Sequence, residues 1–318
     1  MRLSIIVLQY GQVEFTLECI KSILPQLKMN DSLVVVDNAS PSGFQQLYEF
    51  LDRPLLMEIS SERRVYTNNK NVYLLKAAAN LGYGAGNNIG AAYAFRQLAS
   101  DFVWILNNDT RLAPDALAEL TGYLECHSEK ALVGHTVLDY GSDRVQTLGG
   151  AKYNPLLAVG RRVAEGADVR QLAFTEAAVL AQLDYMTGAS FAISRRAYQQ
   201  TALFDPRYFL YFEEIDLARR VREAGLSFGW ASRVIVEHRE GTSINPEEKS
   251  ELAEYHATLS ALLATQRHFP LLLPLTAAIR MFYKLARYAV ARKPALIKAH
   301  LAGMAAFTRR NGESRYRS

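Results

Sequence analysis

The stretch "FVWILNNDT" (102–110) decides the fold, because an apolar strand stops abruptly on two asparagines and an aspartate. Asn and Asp suit turns, since their side chains bond their own backbone and tolerate unusual dihedrals. They also suit a metal or phosphate site, and the same arrangement recurs along the chain. "LSIIVL" (3–8) runs into "QYG", "SLVVVD" (32–37) into "NAS", and "RVIVEH" (233–238) into "REGTS". In open α/β sheets ligands bind outside the carboxyl ends of the strands, so four such polar ends can converge on one edge.

Between these runs the apolar residues keep helical spacing. Val13, Leu17, Ile20, Leu24 and Leu27 form one stripe, which Pro25 ends or kinks. "NVYLL" (71–75) is a further strand, followed by a helix from about Ala85 to Leu98, and Pro114 opens a helix reaching about His127. This alternation predicts βαβ units and a largely parallel central sheet in an α/β protein. Residues 139–182 carry few signals and read as loops or short strands over a cleft. "MTGASFAISR" (186–195) reads as a strand or turn leading into a helix, Glu214–Ala224 as a helix stopped by Gly225, and everything beyond Pro246 as helical.

The 318 residues suffice for one large domain or two modest ones, and 49% hydrophobic with 21% charged residues is the balance of a globular chain. Two distant cysteines, Cys19 and Cys126, fit a reducing compartment and exclude a cysteine-based zinc site. "MRLSIIVLQYG" reads as a first strand rather than a signal peptide, which places the chain in the cytoplasm. From Arg267 onward eleven Lys or Arg face one acid, Glu313; the net +4 of the whole therefore leaves about −6 on residues 1–266. Such a body is no general nucleic-acid binder, whereas the basic tail suits an anionic membrane surface.

Within that tail, "FPLLLPLTAAIRMFYKLARYAVARKP" (269–294) is interrupted by prolines and cations, so no span of about 18 uncharged apolar residues exists. Arg280, Lys284 and Arg287 share one helix face, with Ile279, Phe282, Leu285, Ala286 and Val290 mostly opposite. This predicts a helix lying in a membrane interface with its cations on anionic lipid. The competing reading packs it on the body with a solvated basic face.

Three segments carry chemistry. In "NLGYGAGNNIG" (80–90) the glycines give G-x-G-x-x-x-G, but they follow the third strand after a loop rather than turning out of the first. That disfavours a nicotinamide-dinucleotide fingerprint, while still suiting close approach of a diphosphate to backbone N–H groups. In "FDPRYFLYFEEIDLARR" (204–220) Glu213, Glu214 and Asp216 crowd a helix start. A helix dipole favours acids there. The aromatic cluster upstream could instead wall a sugar ring and raise a carboxylate towards a useful general base. His238, at a strand end sharing an edge with Asp109, could join it in holding Mn2+ or Mg2+.

Taken in order, "SIIVLQYG", "VVVDNAS", "NLGYGAGNNIG", "WILNNDT", "MTGASFAISR", "FDPRYFLYFEEIDLARR" and "VEHREGTS" resemble glycosyltransferase family 2, closest to its bacterial rhamnosyltransferase-like members. The resemblance covers roughly Leu3–Ser243 and implies the GT-A fold in residues 1–243, with nucleotide-sugar binding in 1–130, acceptor and catalytic parts in 131–243, and a basic helical region from 244 to 318. It implies a metal-dependent inverting transfer from a UDP- or dTDP-sugar to a glycan or lipid-linked acceptor, at the inner face of the membrane. On this pattern Asp37 accepts N3–H of uracil or thymine, Leu8 and Tyr10 flank the base, and Asn80 and Asn87 line ribose and diphosphate. Asp109 and His238 hold the metal, with Asn107 standing where relatives have another acid. Glu214 is the base, with Glu213 and Asp216 as substitutes, and Gly188, Ala189 and Ser190 lie under the donor sugar. "YHATLSAL" (255–262) departs from the Arg-Asn pair of many relatives. A protein of the same fold that binds nucleotide sugars without chemistry is the alternative.

Overall fold

A computed structural model describes residues 1–59, 63–67, 71–239 and 246–315. The chain opens with β1 (Leu3–Gln9), α1 (Val13–Ile23), β2 (Asp31–Asp37) and α2 (Phe44–Phe50). Pro25 ends α1 as expected, in a short 3-10 turn at Leu24–Gln26. Next come β3 (Leu55–Ile59) and β4 (Arg63–Thr67), a pair that hydropathy did not reveal, then β5 (Val72–Ala77) and α3 (Gly82–Arg96). Residues 102–126 then form β6 (Phe102–Asn107), β7 (Thr110–Leu112) and α4 (Ala116–Cys126).

The weakly patterned middle holds β8 (Leu132–Asp139), β9 (Val145–Leu148), β10 (Gly150–Asn154), β11 (Val159–Arg162) and α5 (Glu176–Leu180). It is followed by β12 (Tyr185–Met186), β13 (Ser190–Ser194), α6 (Arg195–Thr201), α7 (Glu213–Glu223) and β14 (Phe228–His238). Three helices follow: α8 (Pro246–His268), α9 (Leu273–Val290) and α10 (Pro294–Arg315).

Among the described residues the main sheet runs β3-β4-β5-β2-β1-β6-β13-β8-β14-β7, with β9 on β8. β5, β2, β1 and β6 are mutually parallel, and their residues read as continuous apolar runs because helices cover both faces. β13 runs antiparallel to both β6 and β8, and β14 runs parallel to β8. The ends of β1, β2, β6 and β14 therefore do share one edge, as the polar endings predicted. Two large apolar clusters fill the faces. Ile6, Val34, Val36 and Ile105 look one way, and Ile5, Val7, Val35 and Trp104 the other. β10, β11 and β12 form a small separate sheet.

The glycines of α3 serve packing. A Cβ at Gly86 would stand 2.7 Å from Leu8, and one at Gly90 2.6 Å from Ile6. Bare backbone at these positions lets α3 lie flush on β1 and β2.

The tail corrects an expectation. Arg280 is buried and donates to the carbonyls of Leu157, Ala158 and Ala257, while Lys284 Nζ donates to Glu254 at 2.8 Å. Arg280 and Lys284 therefore face the protein rather than lipid or water, while Arg287 stays exposed. Phe282 and Val290, 74% and 87% exposed, face outward. The guanidinium is held inside because three carbonyls accept from its two terminal nitrogens, while its Nε has no protein partner. No helix among the described residues is long and apolar enough to cross a membrane.

Candidate functional site

β7 doubles back from β6 and pairs antiparallel with β14, setting Thr110 opposite His238. That register brings Asp109 Oδ1 to 3.2 Å from His238 Nε2, both side chains being largely buried. Arg239 N–H closes the pair by donating to the Asp109 carbonyl at 3.0 Å. The other imidazole nitrogen, Nδ1, lies 2.7 Å from Gln146 Oε1, and Gln146 Nε2 donates to Asp139 at 3.3 Å. With its amide so oriented, Gln146 accepts from Nδ1–H, which leaves Nε2 with a lone pair aimed at the Asp109 carboxylate. Two acceptors facing each other at that distance require a shared proton or a cation. This donor set fits Mn2+ or Mg2+. Among the described residues no cluster of three His, Cys, Asp or Glu forms a closed cage, so a cation here would take its other ligands from substrate and water.

Asn107, beside this pair, keeps a buried Oδ1 with no protein partner. Asn108 is anchored instead, donating to Thr16 at 2.8 Å and Gln9 at 3.3 Å. Gly241 and Ser243 lie outside the described residues.

Asp37 ends β2 fully buried. One oxygen accepts from Ser40 N–H at 3.2 Å and the other has no protein partner, while burial pushes its carboxyl up to about 6. A cleft of ≈ 620 Å³ opens just beyond, between Tyr10–Glu14 and Pro41–Gln46. Leu8 is buried beneath α3. Asn80 Oδ1 accepts from Asn38 Nδ2 at 3.0 Å and from Gly82 N–H at 2.9 Å. Asn38 also accepts from Leu81 N–H, tying the end of β2 to the glycine loop. Asn87 sits buried on α3, donating to the Tyr83 carbonyl and keeping an Oδ1 without a protein partner.

The acids at the start of α7 have three different environments. Tyr211 and Phe212, just before them, both adopt positive φ (66° and 69°), which costs bulky residues roughly 1–3 kcal/mol each. Tertiary contacts impose that turn: Phe212 packs edge-on to Tyr153, His256 stacks on Phe209 at 4.6 Å, and Ser260 donates to the Leu210 carbonyl. Gly82, at φ 81°, allows Tyr83 N–H to donate to the Phe209 carbonyl, where any Cβ would collide.

Glu213 is buried, and burial together with the Glu214 charge raises it well above the usual carboxylate range. Glu214 is pushed up to about 7 by desolvation, and its Oε2 has no protein partner. Asp216 moves the other way. Arg220, Arg267 and His268 surround it at 2.7, 3.0 and 2.8 Å and hold it below the usual range against its burial. Two of those partners come from the end of α8, so Asp216 clamps α8 to the acidic segment.

Gly188 lies between the acidic segment and Tyr83. A Cβ there would lie 3.4 Å from Glu214 Oε1, and its carbonyl accepts from Tyr83 O–H at 2.6 Å. Ser190 is not available beneath a sugar. It lies fully buried in β13, bonded to Trp104 Nε1 and His135 Nδ1. Burial and the nearby carboxylates of Glu213, Glu214 and Asp109 push the Tyr83 phenol well above its usual range. Sequence reasoning missed Tyr83, Gln146, Asn38 and His256. Only Asn38 stood within a polar strand end that could have flagged it.

Residues 2–257 match the family model described as Glycosyltransferase like family 2. Over 243 residues the chain is 24% identical to the low-salt glycan biosynthesis hexosyltransferase Agl10 of Haloferax volcanii, spanning 75% of this chain and 67% of that one. Over 213 residues it is 27% identical to the N-acetylglucosaminyl-diphospho-decaprenol L-rhamnosyltransferase of Mycobacterium tuberculosis, spanning 62% and 68%. Among solved structures, mannosyltransferase PcManGT of Pyrobaculum calidifontis, in complex with GDP-Man and Mn2+, superposes with a TM-score of 0.54 at 14% identity, over 96% of this chain and 74% of that one. GalNAc-T7 with UDP, GalNAc and Mn2+ superposes with a TM-score of 0.57 at 15% identity, over 93% and 58%. These structural likenesses establish the fold.

Proposed function

Since the chain belongs to the glycosyltransferase-like family 2 and has the GT-A fold of a glycosyltransferase, we propose that it is an inverting hexosyltransferase. Its donor is a UDP- or dTDP-sugar, with rhamnose the first candidate. Its acceptor is a glycan or lipid-linked saccharide of cell-surface polysaccharide synthesis, met at the cytoplasmic face of the membrane. The names of the two sequence relatives, a hexosyltransferase and a rhamnosyltransferase, point the same way.

One arrangement carries the reading: Asn107 N–H, two residues before Asp109, donates to the Ala189 carbonyl at 3.0 Å, and the adjoining Gly188 lies against Glu214 Oε1 and accepts from Tyr83 O–H at 2.6 Å. This supports a site in which the proposed base, the proposed metal residues and the small-residue loop act together. Asp37 offers its free oxygen to N3–H of a uracil or thymine base beside Leu8 and Tyr10, and Asn80, Asn87 and Asn107 lie on the path of ribose and diphosphate. Asp109 and His238 would hold Mn2+ or Mg2+, which when bound supplies Lewis-acid neutralisation of the leaving diphosphate. Glu214 takes the proton from the acceptor hydroxyl as that oxygen forms its bond to the anomeric carbon. The bond to the diphosphate oxygen breaks on the opposite side, its electron pair leaves with the nucleoside diphosphate, and the centre inverts. Gly188 leaves room for the sugar, and Glu213, held protonated, adds no second charge beside the base. Asp216 positions the segment and is already neutralised by its cationic partners.

A panel of UDP-, dTDP- and GDP-sugars, assayed by mass spectrometry with Mn2+ and with EDTA, tests this. Transfer or slow hydrolysis of a uracil or thymine nucleotide sugar is expected only with metal. Turnover unaffected by EDTA, or preference for GDP-sugars, would overturn the metal or nucleobase assignment.

A further inference from the structure

α9 is amphipathic with its polarity reversed relative to ordinary surface helices. Arg280, Lys284 and Tyr288 face inward on α8 and the loop at 155–158. The outward face carries Leu275, Ala278, Phe282, Tyr283, Ala286 and Val290, with Arg287 as its only charged side chain among the exposed positions. Leu271, just before the helix, is 94% exposed and extends this apolar surface. Isolated exposed apolar residues need no explanation, but a continuous stripe along five helical turns does.

The chemistry around the stripe selects its occupant. Arg287, Arg292, Lys293 and Lys298 are all exposed at or just beyond the C-terminal end of α9, in a tail with a net charge of +10. Aromatic and aliphatic side chains bordered by cations match the boundary between acyl chains and anionic headgroups. A protein partner matched to the stripe alone would leave this cationic border unpaired.

We infer that the outward face of α9 docks the protein on an anionic bilayer, inserting Phe282, Tyr283 and Val290 while the flanking cations meet lipid phosphates. Membrane contact is thus made by the apolar side of the helix, and the inward cations hold α9 on the body. A cleft of ≈ 340 Å³ opens beside this surface. Arg287 and Lys293 line it on one side and Tyr211, two residues before Glu213, on the other. Docking here brings the mouth of that cleft to headgroup level, where a lipid-linked acceptor presents its sugar. This last point rests on the proposed acceptor, whereas docking itself does not.

Flotation of the full chain with vesicles of phosphatidylglycerol and phosphatidylethanolamine, against phosphatidylcholine alone, tests the inference without donor or acceptor. The protein should float with the anionic vesicles, and Phe282→Ser with Val290→Ser should weaken binding by roughly tenfold or more. Arg292→Glu with Lys293→Glu should abolish the preference for anionic lipid. Nucleotide binding by the four variant positions, read calorimetrically, should match wild type and so verify folding. Failure of the wild type to float, or equal flotation of the apolar variant, would overturn docking. So would light scattering that shows a dimer broken by Phe282→Ser, since a second copy would then cover the face. Loss of transfer with intact flotation would count against the acceptor reading alone.

Discussion

His238 Nε2 lies 3.2 Å from Asp109 Oδ1, and the contact exists because β14 and β7 pair with His238 opposite Thr110. Neither residue's neighbours in sequence announce the other. The antiparallel return of β7 aligns them, and Gln146 sets the imidazole so that its free lone pair faces the carboxylate.

Asp109 and His238, the proposed metal ligands, give the first prediction. Asp109→Ala should abolish metal-dependent transfer and remove the Mn2+ enhancement of nucleoside diphosphate binding. Gln146→Leu should keep the ligands but weaken Mn2+ binding by about 10–100-fold, because an unanchored imidazole can adopt the wrong tautomer. Titration of Mn2+ by electron paramagnetic resonance, in the presence of UDP, reads both effects. An unchanged Mn2+ affinity in Gln146→Leu would refute its positioning role.

Glu214 predicts a pH dependence. Burial penalises its charged form and lifts the carboxyl to about 7, so below that pH it is protonated and cannot accept the acceptor's proton. Transfer should rise with pH through about 7 and then level off. Glu214→Gln should lose about 10²–10⁴-fold in turnover while still binding donor. If Glu213→Gln alone is inactive, the base is misassigned.

The same shift affects stability. Between the ordinary value of 4.5 and about 7 the folded chain holds a proton on Glu214 that the unfolded chain has released. The folded state binds more protons there, so this group's contribution to stability is fully present at low pH and falls as pH rises through about 7. Glu214→Gln should remove that loss, giving a variant more stable than wild type at pH 8 in urea denaturation.

Asp37 should govern nucleobase binding. Its Oδ2 is buried without a protein partner, so the proposed bond from N3–H of uracil would satisfy an acceptor whose burial costs energy. Asp37→Ala should weaken UDP binding by about tenfold, in proportion to one hydrogen bond to a charged acceptor. Wild-type binding should also weaken as pH drops through about 6, where the carboxyl protonates. Calorimetric affinities that are flat from pH 5 to 8 would contradict this.

Arg280 offers a stability test of the tail. Arg280→Met strands the carbonyls of Leu157, Ala158 and Ala257, and should cost about 2–3 kcal/mol. Arg287→Met, on the exposed edge, should stay within about 0.5 kcal/mol. Equal effects in urea titrations would mean that α9 does not pack as described.

The sequence by itself determined the parallel sheet, its polar edge and the identity of the residues gathered there. Apolar runs of strand length and stripes of helical spacing are local signals, and Asp37, Asp109, Glu214 and His238 each stand at or beside the end of one. It could not decide what those groups contact. Asp216 and Glu214 lie two residues apart at one helix start. Yet the Arg220 and Arg267 cations and a hydrogen bond to His268 hold the first low, and desolvation raises the second. Nor could periodicity decide the orientation of α9. A helical stripe shows that two faces differ, but not which one is buried. Only the carbonyls waiting at Leu157, Ala158 and Ala257, together with the Glu254 carboxylate, turned Arg280 and Lys284 inward and left Phe282 and Val290 facing out.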